Sequence, residues 1–225
     1  MFNDSITLPL PAAAQGTFFS RPPVPTLHEL FAPCSGGAVS GFALAQTVSS
    51  RDAPILWVQD DRTIRQSGRP FLPGFPPAQR HSFIHVAARN PRQTLWAMEE
   101  GLKCSSLSAV IGEMSGDPAT LDFTATRRLA VAAERYGVPA FLIRIDGHAN
   151  LSGARRRWHV ESRPSLAHRH DWGAPGLPVW SLELFRARDM RPGQWDAAYD
   201  AAAHRLDLVS AVGDEPLAQG AHRYR

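Results

Sequence analysis

The chain has 225 residues, 44% of them hydrophobic, and its 24 basic and 21 acidic residues leave a formal charge of +3 at pH 7. This length can bury the core of one domain. The small positive charge is weak evidence for nucleic-acid binding, because the arginines are scattered along the chain. No apolar run approaches the length of a spanning helix, which excludes one, and no signal peptide is recognisable at the N-terminus. The spacing of the two cysteines fits neither a disulfide framework nor a metal site, which favours a cytoplasmic protein.

The first segment, residues 1–26, is rich in proline, alanine and threonine and has no helical or strand period, so it predicts an extended arm. Phe18 and Phe19 lie in this arm without an evident local partner. They either pack on the surface of the protein's own domain or form a docking peptide for another protein. We expect the domain to span residues 27–210, followed by a flexible tail over residues 211–225.

Short apolar segments alternate with amphipathic segments over the next part of the chain. This alternation is typical of an α/β fold with a twisted, mostly parallel sheet, right-handed crossovers and helices on both faces. The predicted strands are Leu27–Phe31, Ile55–Gln59, Phe83–Ala87, Ala109–Glu113 and Ala140–Ile145, and the predicted helices are Gly41–Ser49, Pro91–Lys103 and Asp122–Tyr136.

After Ile145 the hydrophobic period changes from helical spacing to strict alternation. Arg156–Glu161 and Val179–Arg188 alternate apolar and polar residues, which predicts an antiparallel hairpin at the edge of the sheet. Gln194–Asp207 is predicted to form a last short helix. The histidine-containing residues 167–173 fall in a predicted loop and are expected to face solvent, so no metal site is predicted.

The segment after the first strand resembles a phosphate-binding loop without its reactive side chains. In a GxxxxGK[ST] loop, backbone N–H groups cradle phosphates, the lysine reaches the terminal phosphates and the hydroxyl binds magnesium. In this chain Ala38 stands at the lysine position and Val39 at the hydroxyl position, so ATP turnover by the usual route is not expected. The remaining backbone could still hold an anion, although a tight turn kept for folding explains the same residues. The degenerate loop comprises Ala32, Cys34, Ser35, Gly36, Gly37, Ala38 and Val39.

Acidic residues lie at the ends of two predicted strands. Asp60 and Asp61 follow the second strand, and Glu113 ends the fourth. In a nucleotide hydrolase such positions hold the water-activating acid and the magnesium-linked acid, and ligands of these sheets bind at the carboxyl ends of the strands. Because the loop lysine is missing, the return of the chain to solvent is the favoured explanation for these acids.

Three consecutive arginines, Arg155, Arg156 and Arg157, precede Trp158 on the predicted hairpin. Arginines beside an aromatic ring suit single-stranded nucleic acid or a protein partner. An arginine-rich strand that resists edge-to-edge aggregation explains the same pattern. The sequence leaves both interpretations open.

Several segments together resemble the ImuA family, RecA-like proteins of bacterial mutagenic translesion cassettes. They cover roughly residues 26–190 and read LHELFAP, LWVQ, LWAMEEGLKC, AVIGE, LDFTATRRLAVAAERYGVPAFLIR and GARRRWHVESRPS. The resemblance implies a DNA-damage-inducible (SOS) accessory factor associated with the nucleoid, and the degenerate loop predicts that it is not an enzyme and has no cofactor. It implies an inactive Y-family polymerase homologue and an error-prone C-family DNA polymerase as partners, with RecA as a further candidate. Contact with DNA would be weak or indirect, and no membrane is involved.

The chain also departs from RecA in ways that bear on mechanism. The two DNA-binding loops of RecA would fall in Met114–Thr120 and Asp146–Gly153, which are short spans, so a RecA-like grip on single-stranded DNA is not expected. The arm lacks the helical pattern of RecA's oligomerising N-terminus, so a long self-filament is not expected either. Two alternatives stay open: a nucleotide-dependent ATPase or DNA-binding repair protein, and a cell-division inhibitor of the SulA type.

Overall fold

The computed structural model describes residues 24–33, 37–47, 53–168, 170–171 and 173–209. Within these residues nine strands form one mixed sheet. The strands are β1 (Leu27–Ala32), β2 (Ile55–Asp60), β3 (Phe83–Ala88), β4 (Ala109–Ser115), β5 (Ala140–Ile145), β6 (Arg156–Arg163), β7 (Val179–Ala187), β8 (Gly193–Asp200) and β9 (Arg205–Val209).

The strand order across the sheet is β3-β2-β4-β5-β1-β6-β7-β8-β9. From β3 to β6 every neighbouring pair is parallel. From β6 to β9 every pair is antiparallel. The predicted α/β class and the antiparallel hairpin β6–β7 are therefore confirmed, and β8 and β9 extend that hairpin to the edge of the sheet.

In the described residues four α-helices connect the parallel strands: α1 (Ala38–Ala45), α2 (Asp61–Ser67), α3 (Pro91–Leu102) and α4 (Phe123–Tyr136). Side chains cap the N-termini of three of them, with Asp60 at the start of α2. Asn90 accepts from the Gln93 N–H at 3.0 Å at the start of α3, and Asp122 accepts from the Ala125 N–H at 2.7 Å at the start of α4. Gly137 ends α4 with φ of 72°, a left-handed conformation that suits glycine.

The core has two layers, one on each face of the sheet. On the first face α1 packs against aromatic side chains that are almost fully buried, among them Trp57 and Trp158. On the second face α3 and α4 bury Met98, Leu102 and Leu129. The helices thus lie on both faces, as predicted. No helix in the described ranges is long and apolar enough to cross a membrane.

The predicted helix Gln194–Asp207 is wrong, because this segment forms β8, a turn and β9. The alanines give it helical propensity, but β8 pairs with β7 along its length and buries Ala197 and Tyr199 in the core. Asp200 then makes a turn, since its carboxylate accepts from the N–H groups two and three residues onward at 2.9 and 3.0 Å. His204 completes the turn with φ of 49°.

Two smaller differences concern helices. The first helix spans Ala38–Ala45 rather than Gly41–Ser49, and α2 was not predicted. The arm and the tail, including Phe18 and Phe19, lie outside the described residues except for residues 24–26. The predicted domain boundaries therefore stay predictions.

Candidate ligand cleft at the carboxyl edge of the parallel strands

A cleft of about 470 Å³ opens at the carboxyl ends of the parallel strands, beside the start of α1. This is the edge at which sheets of this class bind ligands. Its lining combines the glycine before α1, two serines, aromatic rings, one arginine and one buried acid: Gly37, Ser40, Ser67, Trp57, Phe71, Phe75, Arg69 and Glu113.

Helix α1 packs close to the sheet. Gly41 allows this approach, because a Cβ there would lie 2.7 Å from the Trp180 ring. Ala38 is 4% exposed and Val39 is fully buried, so the lysine and hydroxyl positions of the motif face the core. Two serines line the cleft, Ser67 at the end of α2 and Ser40, which lies one residue beyond the motif. Motif alignment overlooked Ser40 for that reason.

Of the other degenerate-loop residues, Ala32 is buried at the end of β1, and Gly37 precedes α1 without a side-chain cap. Residues 34–36, which include Cys34, Ser35 and Gly36, lie outside the described residues. The structure therefore brings Gly37 to the cleft but gives no account of the middle of the loop.

Glu113 is the buried acid of the cleft, 4% exposed and two residues before the end of β4. Its Oε2 atom accepts from Trp57 Nε1 at 3.2 Å and from Gln59 Nε2 at 2.9 Å. Gln59 Oε1 in turn lies 3.0 Å from His85 Nε2, which continues the polar network onto β3. Burial raises the pKa of Glu113 to about 7, and hydrogen bonds from Trp57, Gln59 and Ser67 oppose that rise. The carboxyl group can therefore exchange a proton near neutral pH.

The two other acids of the predicted set have different positions. Asp60 is 2% exposed and accepts from the Thr63 N–H at 2.7 Å, so it caps α2. Asp61 is exposed in the first turn of that helix. Neither lines the cleft. Within the described parts of the chain no group of three or more His, Cys, Asp or Glu residues could hold a metal ion.

The three consecutive arginines each form an ion pair inside the domain. Arg155 Nε lies 2.6 Å from Glu134 Oε1, and Arg156 Nε lies 3.1 Å from Asp189 Oδ1. Arg157 pairs with a buried acid of β1 and is 3% exposed. Contact of these arginines with DNA or a partner stays a prediction, as it does for Phe18 and Phe19.

A buried charge cluster on β1, β5 and β6 was not predicted. Glu29 is fully buried. Its Oε2 atom lies 2.7 Å from Arg157 Nε, and its Oε1 atom lies 3.4 Å from Arg144 Nη1. Both guanidinium groups lie over the Phe31 ring, 5.5 Å from its centroid for Arg144 and 5.2 Å for Arg157. The signal in the sequence was a charged residue in the middle of an apolar strand segment, which occurs in both LHELF and FLIRI.

The same cluster fixes the two loops at which RecA would hold DNA. Arg144 pairs with Asp117 in the loop after β4 and donates to the Gly116 carbonyl at 3.2 Å. Asp117 also accepts from the His148 N–H at 3.0 Å, in the loop after β5. The two loops are therefore joined to each other and to the core.

The chain is similar in sequence to proteins that have been named. No family model matches the chain. Over 158 residues, 64% of this chain, it is 30% identical to Protein ImuA of Caulobacter vibrioides strain NA1000 / CB15N, and equally to Protein ImuA of strain ATCC 19089 / CIP 103742 / CB 15. Over this span the chain is similar to the ImuA proteins. This confirms the family resemblance found in the sequence. The matched part covers 62% of the length of these relatives.

Proposed function

We propose that the protein is a non-catalytic, RecA-like scaffold in SOS-induced, error-prone translesion DNA synthesis. It brings together an inactive Y-family polymerase homologue and an error-prone C-family DNA polymerase, and RecA is a further candidate partner. The relation to the ImuA proteins supports the cassette, and the chemistry of the cleft supports the absence of catalysis.

The main support for a non-catalytic role is the burial of Ala38 and Val39, at the positions where a nucleotide hydrolase has its lysine and its magnesium-binding hydroxyl. Phosphoryl transfer depends on positioning and on stabilising charge at the phosphates. Two apolar side chains that face the core contribute to neither. Partners would accordingly be held without a nucleotide cycle.

The linked loops after β4 and β5 support a scaffold with a fixed surface. Asp117 contacts both Arg144 and His148, so movement of one loop would disturb a partly buried ion pair. Such a surface fits protein–protein contacts better than a loop that must close around a DNA strand.

A pull-down from DNA-damaged cells, with the full-length protein as bait and with or without nuclease, tests the proposal. We expect the two polymerase components, with or without RecA, to be recovered after nuclease treatment. Recovery of neither component, or of DNA alone, would contradict the scaffold role. Capture of a division protein would instead favour the SulA-type alternative.

The open cleft with Gly37 at the start of α1 supports one competing function, a nucleotide-dependent protein. Calorimetric titration of the full chain with ATP and magnesium separates the two. A scaffold releases no binding heat in this titration. A saturable binding isotherm would favour the nucleotide-dependent alternative.

A further inference from the structure

A second groove, of about 450 Å³, lies between α4 and the strands β6 and β7, away from the cleft. We call it the arginine groove. It is lined on the α4 side by Phe123, Arg127 and Val131, and on the strand side by residues 152–155 and 186–188.

The groove is built by a close approach of the segment before β6 to α4. The Gly153 N–H donates to Thr126 Oγ1 at 2.9 Å. A Cβ on Gly153 would lie 2.6 Å from the Arg127 Cα, so glycine is required for this contact. On the strand side, the Arg188 N–H donates to the Arg155 carbonyl at 3.1 Å, which holds β6 and the end of β7 together.

The rim of the groove carries exposed positive charge, and Arg188 lies near enough to Glu134 to help lower the pKa of that carboxyl group. Arg127, Arg186 and Arg188 are exposed. In the described part of the chain none of the three has a carboxylate within ion-pair distance. Arg155 differs, because its guanidinium group holds Glu134 through two hydrogen bonds at 2.6 and 3.2 Å. Three guanidinium groups on one rim favour an anionic partner.

The α4 wall adds exposed apolar surface. Phe123 is 41% exposed and Val131 is 47% exposed. With Arg127 they stand four residues apart, so all three lie on one face of the helix. Apolar surface beside exposed arginines suits a ligand that is both acidic and apolar.

We propose that the arginine groove binds an acidic peptide segment of a protein partner, with an apolar side chain of the peptide placed against Phe123 and Val131. Carboxylates of the peptide pair with Arg127, Arg186 and Arg188. The proposal rests on the scaffold function, since it names the surface and the chemistry by which a partner is held. Arginine binds carboxylates through its planar fork of donors, which gives this contact both direction and strength.

The lining favours a peptide over single-stranded nucleic acid. Single strands bind through successive bases stacked on several aromatic side chains along a basic channel. Phe123 is the one aromatic residue among the groove's described lining residues. A single ring beside one valine provides an anchor for one apolar side chain rather than a stacking platform.

Fluorescence anisotropy of the full chain tests the groove directly. The probe is a short fluorescein-labelled peptide in which aspartates and glutamates flank one leucine–phenylalanine pair. The control probe has asparagine and glutamine at the acidic positions. We expect the acidic probe to bind and the control probe to bind at least about tenfold more weakly, because rim charges set both attraction and specificity.

Charge reversal locates the binding surface. The double variant Arg127→Glu/Arg186→Glu should weaken binding of the acidic probe by at least about tenfold, since like charges then face each other. The matched control Arg92→Glu reverses an exposed arginine on α3 outside the groove, and should leave binding within about twofold of wild type. Circular dichroism checks folding, and the single variant Arg188→Gln gives an independent, milder change in the same direction.

Three results would overturn the inference. The first is that the acidic probe does not bind the wild-type chain. The second is that the double variant and Arg92→Glu lose equal amounts of affinity for the acidic probe. The third is that an oligo-dT strand binds the same arginines more tightly than the acidic probe does. Failure of the scaffold function gives a different pattern. In that case the probe binds and depends on Arg127 and Arg186, but the pull-down recovers no polymerase component.

Discussion

Ionisation of Glu113 should make the stability of the protein depend on pH through the cleft. Replacement by glutamine, Glu113→Gln, keeps the size of the side chain and the oxygen that accepts from Trp57 and Gln59, but cannot ionise. We therefore expect the variant to be more stable than wild type above neutral pH, and this advantage to disappear in acid.

The direction of this pH dependence follows from the raised pKa of the buried carboxyl group. In the folded protein the pKa of Glu113 is about 7, against the ordinary value of 4.5. The protonated form is favoured by folding, so its contribution to stability is complete below pH 4.5 and is lost as pH rises through 7. At about 1.4 kcal/mol per pKa unit, the advantage of the variant should grow by about 2–3 kcal/mol between pH 5 and pH 8.

Comparison with the variant is essential because His28 acts in the opposite direction. Burial, followed by the positive charge of Arg156, lowers the pKa of His28 from 6.5 to about 4. Its contribution to stability is present above pH 6.5 and is lost as pH falls through 4. The pH profile of the wild-type protein therefore mixes two opposing effects, whereas the difference between wild type and Glu113→Gln isolates one.

Urea unfolding followed by far-ultraviolet circular dichroism measures this difference at both pH values. Circular dichroism is preferable to tryptophan fluorescence here, since Trp57 contacts the substituted side chain. Glu161→Gln, the same substitution at an exposed position on β6, is the matched control. An equal advantage of Glu113→Gln at pH 5 and pH 8 would refute the burial of this carboxyl group in the folded protein.

Three further predictions use the same unfolding assay or a phosphate-release assay. Glu29→Gln removes the countercharge of the buried Arg157 and leaves the buried Arg144 with Asp117 alone, so it should cost about 3–5 kcal/mol. Glu100→Gln breaks an exposed pair with Lys103 and should cost far less; equal costs would contradict the burial of the cluster. Gly153→Ala should cost about 1–3 kcal/mol, because its Cβ overlaps the α4 backbone, and unchanged stability would remove the argument for the close approach. The double change Ala38→Lys/Val39→Thr should destabilise the protein, since both positions face the core. The variant should release no phosphate from ATP. Turnover of ATP by this variant would show that only the two side chains were missing.

The parallel part of the fold was predictable from the sequence because its signals are local. Each strand from β1 to β5 is a short apolar run, and Gly137 marks the end of α4. The segment Gln194–Asp207 was mispredicted because alanine-rich composition is a local signal for helix, whereas its pairing with β7 is a tertiary effect.

The candidate sites were predicted less well, since their properties arise from contacts between distant residues. Glu113 was predicted to end its strand, whereas β4 continues for two more residues, and its network with Gln59 and His85 depends on strand order. The acid partners of the three arginines were not identified for a similar reason. Arg157, for example, pairs with Glu29, 128 residues earlier in the chain. Sequence spacing carries no information about such pairs.

A bridging assay with purified components tests the central claim most directly. The inactive Y-family polymerase homologue is immobilised, and retention of the C-family polymerase is measured with and without this protein, in the absence of nucleotide and DNA. The scaffold account predicts retention that requires this protein and does not change when ATP and magnesium are added. Retention without this protein, or only with ATP and magnesium, would contradict a non-catalytic bridge.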